Sequence, residues 1–85
     1  MWRHLKMAYD KYQSYLQTLG EVITEYAYEA KKNRDGAKNQ EKKDFYEGYL
    51  SAYYRIVTLM QQHAEPFEIS LNELGLENIK EEDMF

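Results

Sequence analysis

Residues 33–39 read NRDGAKN, a turn-forming run set between two long stretches rich in Glu, Lys, Gln, Leu and Tyr. Asn, Asp and Gly tolerate the backbone conformations that end a helix, and their short polar side chains satisfy its orphaned backbone groups. Everything on either side of this run has a helical period. Upstream, Trp2, Leu5, Tyr9, Tyr12, Leu16, Leu19, Ile23, Tyr26 and Ala30 step alternately by three and four. That is a heptad repeat, the pattern of a long helix packed side-on against another. Downstream, Phe45, Tyr49, Ala52, Ile56, Leu59 and His63 repeat it.

The two rows can be laid against each other. A chain folded back at Asp35–Gly36 brings Tyr26 to Phe45, Ile23 to Tyr49, Leu19 to Ala52, Leu16 to Ile56 and Tyr12 to Leu59. This register predicts an all-α fold, a long antiparallel αα-hairpin over residues 1–66 with helices at about 2–33 and 38–64. On this reading the aromatic residues of "FYEGYLSAYYRIVTLM", Phe45 to Met60, are mostly filler for a narrow seam. Leu16→Ala or Ile56→Ala should then cost about 2–5 kcal/mol. Gly20 and Gly48 fall at nearly the same height, where two bare backbones could approach.

A second apolar stripe lies one residue along: Tyr46, Leu50, Tyr53, Val57, Met60 and Ala64, with Ala8, Tyr15 and Val22 beside the first row. Two helices alone cannot cover such a width. Two occupants are available. One is the C-terminal segment, residues 67–85, where Pro66 stops the second helix and "SLNE" at 70–73 reads as a capping box ahead of one short helix at about 70–75. The other is a second copy of the chain, giving a dimeric four-helix bundle. The stripe is long and the segment short, so the homodimer is the expected answer.

Bulk properties restrict the function. Eighty-five residues make one small domain, with no cysteine for a disulfide or thiolate site. No apolar run reaches the roughly 18 residues of a membrane span and no signal peptide opens the chain, so a cytoplasmic location is expected. The formal charge of −4 is uneven. Residues 65–85 hold seven acidic side chains against Lys80 alone.

Catalytic motifs are missing: there is no Glu-x-x-His, no phosphate-binding glycine loop and no His-Glu-x-x-His. No catalytic residue, cofactor or metal is expected. The nearest approach is Glu25, Glu29, Glu41 and Asp44 beside the turn. Its "EKKD" is similar to the Glu-x-x-Asp spacing of small helical nucleotide pyrophosphohydrolases, which would imply a metal-dependent nucleotide hydrolase as an alternative. Glu21, Glu25 and Glu29 instead sit four apart, as ordinary helix-face ion-pair partners do. Six basic residues between Lys31 and Lys43 are diluted by four acidic ones, so direct nucleic-acid binding is not expected.

The end of the chain, "EEDMF", resembles the acidic tip of bacterial single-stranded-DNA-binding proteins over five residues, without their usual proline. The resemblance implies docking of an apolar anchor into a basic-rimmed pocket, and an acidic end with an apolar anchor suits a basic groove on physical grounds too. The function expected is a non-enzymatic protein–protein interaction or regulatory module. Its partner-binding residues would be Tyr46, Tyr53, Tyr54 and Met60 on the helix face, with Glu77, Glu81, Glu82, Asp83, Met84 and Phe85 in the acidic segment. A phage- or mobile-element inhibitor, such as an anti-CRISPR-like protein that blocks a nucleic-acid-binding channel, is a narrower form of the same idea.

Overall fold

The computed structural model describes residues 2–80, with side chains described from Lys11 onward. Helix α1 spans Trp2–Asp35 and helix α2 spans Gln40–Ala64, and the two pack against each other as an antiparallel hairpin. The turn forms as its composition dictates. Gly36 N–H donates to Lys32 O at 3.0 Å and Ala37 N–H to Arg34 O at 3.2 Å, closing α1. Asn39 then caps α2 with an extended backbone, its Oδ1 accepting from Lys42 N–H at 2.8 Å.

The seam differs from the expected one. Leu50 (2% exposed) packs on Ala27 and Ala30, with Tyr53 and Ile79 closing round them. Val57 (1% exposed) and Ala64 pack with Leu74 and Leu76, flanked by Leu16, Ile23 and Met60. The face of α2 turned inward is therefore the second stripe, Leu50–Val57–Ala64. The heptad row Phe45, Tyr49, Ile56 and Leu59 is exposed, as are Tyr12, Leu19 and Tyr26 of α1. Register moves with it: Tyr26 stands beside Tyr53, two helical turns from its expected partner Phe45. The physical reason is the size of the facing residues. Ala27 and Ala30 let a leucine of α2 reach the α1 backbone, and a strict heptad of tyrosines would hold the helices apart.

The C-terminal segment supplies the third layer. Pro66 opens a single 3-10 turn, Glu65–Phe67, and Glu68 follows in a left-handed conformation (φ 58°) that reverses the chain. Ser70 and Glu73 make the reciprocal bonds of a capping box: Ser70 N–H and Oγ–H donate to Glu73 Oε1 at 3.1 and 3.0 Å, and Glu73 N–H donates to Ser70 Oγ at 3.2 Å. No helix follows. Residues 71–75 are hydrogen-bonded turns, correcting the short helix expected at about 70–75, and Gly75 (φ 73°) breaks the run.

Beyond the turns the chain runs along α1 in the same direction. Gln17 Nε2 donates to Asn72 O at 3.3 Å and Tyr28 Oη to Asn78 O at 3.1 Å. Between these ties the backbones touch. A Cβ built on Gly20 would collide with the Leu74 carbonyl oxygen and lie 2.8 Å from its carbon; one built on Gly75 would collide with Gln17 O. Gly20 thus admits the C-terminal segment, and no second helix. Gly48 meets nothing within 4 Å, so the expected Gly20–Gly48 approach does not occur.

Candidate interaction surface

The C-terminal segment covers one side of the hairpin and leaves the other open. On the open side α1 presents Tyr12, Tyr15, Leu19 and Tyr26, and α2 presents Phe45, Tyr49, Ile56 and Leu59. Their placement follows from helical geometry. Leu50, Val57 and Ala64 point at α1 and the C-terminal segment, and residues one position before each, or two beyond, are carried round to the flank. Tyr12 is 72% exposed and Leu59 54%, and it is their gathering with six other large apolar side chains on one side, not the single values, that is informative. None of the eight carries a charge.

Toward the turn the two helices' aromatic residues converge. Phe45 meets Tyr49 edge-on at a centroid distance of 5.1 Å and Tyr46 at 5.3 Å. Tyr49 stacks on Tyr53 at 6.4 Å, and Tyr53 lies 6.4 Å from Tyr26 across the hairpin. Edge-to-face and offset contacts of this kind stabilise by about 0.5–1.5 kcal/mol each beyond the area they bury. The rings line a shallow groove of about 380 Å³, which Glu29 and Asn33 border. The cluster holds these tyrosines in fixed orientations while leaving one face of several in solvent.

The residues expected to bind a partner divide three ways. Tyr46, Tyr53 and Met60 are half-buried: Tyr53 closes the Leu50 cluster, and Met60 packs on the Val57–Leu76 cluster. The stripe is internal at Leu50, Val57 and Ala64, whereas Tyr46 and Tyr53 also line the open groove. Tyr54 and Glu77 are exposed, and Glu77 Oε2 accepts from Asn72 Nδ2 at 2.7 Å. Glu81, Glu82, Asp83, Met84 and Phe85 lie outside the described residues.

At the turn, Arg34 bridges Asp35 (3.1 Å) and Glu47 (2.9 Å), tying the end of α1 to α2. Partial burial works against its charge, but the hydrogen bonds and the two carboxylates outweigh this and raise the guanidinium above its ordinary value. Asp44 accepts from Gln40 Nε2 at 2.8 Å. Among the described residues, no three carboxylate or histidine side chains converge on a position where a metal ion could be held, Glu25, Glu29, Glu41 and Asp44 included. No helix of the described residues is long and apolar enough to cross a membrane.

The open face escaped the sequence reading because all its residues but Tyr15 were assigned to the seam. One signal could have found it. On α1, Gly20, Thr24, Ala27 and Ala30 form a row of small residues, and small residues mark the side on which backbones approach. No protein-family model matches this chain, and no curated protein or solved structure proved similar to it.

Proposed function

We propose that this protein is a non-enzymatic interaction module that holds a protein partner on the open side of its hairpin, with the acidic C-terminal segment contributing electrostatic steering. One observation carries the reading: an uncharged row of exposed Tyr, Phe, Leu and Ile runs the length of a hairpin whose other side is covered by the C-terminal segment, where the exposed apolar residues Phe67 and Leu71 are isolated ones. Aromatic residues are enriched and charges depleted at the centre of protein interfaces. Tyrosine suits such a face in both states, since its ring is buried on binding and its hydroxyl is solvated when free. The acidic residues Glu73 and Glu77 belong to the segment on the other side of the hairpin, so any steering they give acts at long range.

The test is photo-cross-linking in living cells, with a photoreactive amino acid placed singly at Tyr49, Leu59 or Ser51. Ser51 is exposed on the outer, polar side of α2 and serves as the control. Protein adducts from Tyr49 and Leu59, and not from Ser51, are the expected result. Equal yields at all three positions, or none on the open side, would overturn the reading.

A further inference from the structure

We infer that the occupant of the open side is a second copy of this chain, the two hairpins meeting face to face as a four-helix bundle. This rests on the proposal that the open side is a protein-binding surface and names the partner. Three observations support it.

The first is area. A large apolar side chain covers about 150–250 Å² when fully exposed, so the eight on the open side, roughly half exposed, leave on the order of 800 Å² to solvent. The largest apolar patch of an ordinary monomer is about 300–600 Å². A stable interface buries about 800 Å² on each partner. The open side thus exceeds the usual largest patch of a monomer and is of the size a symmetric dimer needs.

The second is pattern. The α1 row Tyr12, Leu19 and Tyr26 keeps a spacing of seven, the repeat that keeps one stripe facing a neighbouring helix along its whole length. Within the hairpin these three positions face out, since α1 turns the other half of the heptad, Leu16, Ile23 and Ala30, inward together with Ala27. A long helix with two apolar stripes needs neighbours on two sides, and the chain itself supplies one. The row on α2, Tyr49, Ile56 and Leu59, lies beside it on the same side and offers the second groove wall.

The third is charge. The eight exposed residues are uncharged and Glu29 only borders their groove, so the patch offers little to complement a strongly acidic or basic partner, whereas an apolar row on a long helix complements another of the same length. A two-fold pairing requires only that the surface fit itself.

The experiment is sedimentation of the full chain between about 1 and 100 µM, the upper end of the dissociation range for an interface of this size. A species of twice the 10.3 kDa chain mass is expected at the upper concentrations. Tyr12→Lys combined with Leu59→Lys should then raise the dissociation constant at least tenfold with unchanged helical circular dichroism. Should that variant not fold, the wild type itself decides by hydroxyl-radical footprinting. Tyr12 and Tyr49 should become protected with rising concentration while Tyr28, on the C-terminal-segment side, does not. A wild-type monomer throughout the range overturns the inference, as does a dimer that ignores both lysines or protects Tyr28 instead. Cross-links from the open side to some other protein would, in either case, leave the interaction-module reading standing.

Discussion

The two sides of this hairpin are built from similar amounts of apolar sequence and behave oppositely. On the closed side small residues alternate with branched aliphatics, and three strands of chain come together: Ala27 and Ala30 from α1, Leu50 and Val57 from α2, Leu74 and Leu76 from the C-terminal segment. On the open side the residues are larger and more regularly spaced, yet Tyr12, Tyr49 and Leu59 stay in solvent. Hydrophobic content does not separate the sides. Attainable packing density does, since interiors approach crystalline density and only close backbones let short side chains touch. The more conspicuous apolar row is the one left over.

Mutations on the two sides should therefore diverge, most of all for leucine. Leu76 is fully buried, and Leu76→Ala should cost about 2–5 kcal/mol in urea unfolding. Leu59→Ala, measured at concentrations low enough for a dissociated chain, should stay within about 1 kcal/mol. Equal losses would mean that the sides are wrongly distinguished. The same inversion applies to Ile56, which at 40% exposure cannot carry the loss its place in the heptad suggested.

Glycine gives the next largest contrast. Gly20→Ala drives a Cβ into the Leu74–Gly75 backbone, which cannot rotate away, so a loss of about 3 kcal/mol is expected with detachment of the C-terminal segment. Proteolysis near Leu71 should accelerate in parallel. Gly48→Ala enters open space in a helix and should stabilise by about 0.5–1 kcal/mol. A harmless Gly20→Ala would show that the segment does not cross α1 there.

Smaller effects belong to the turn, which both sides share. Asn39→Ala removes the cap of α2 and should cost about 1 kcal/mol, read from thermal melts. Glu47→Gln loses an exposed ion pair and should cost less than about 1 kcal/mol. Its pH dependence follows from Arg34. That guanidinium is raised in the folded chain, so its contribution is fully present below its unfolded value and fades only as pH climbs through the folded one. The Glu47→Gln difference should accordingly be the same at pH 7 and pH 10. A difference that collapses between them would mean that a lysine, and not Arg34, holds Glu47.

Local chemistry alone determined a good part of this protein. NRDGAKN had to interrupt a helix, Asn39 was suited to cap the next, Pro66 to end it, and Ser70 with Glu73 to form a capping box. Each depends on groups within four residues of one another, so no distant neighbour is needed to read it. The all-helical hairpin followed from a 3.6-residue period held on both sides of one turn. Which face of each helix turned inward was decided only by tertiary structure. Two apolar stripes competed on both helices, and period cannot rank them. The choice fell to how closely backbones could approach, through Ala27, Ala30 and the crossing of Gly20 by Gly75, whose partner lies 55 residues along the chain. The same crossing placed the C-terminal segment over one side and split the heptad, the strongest pattern in the sequence: Leu16, Ile23 and Ala30 pack inward, while Tyr12, Leu19, Tyr26 and the α2 row stay on the surface.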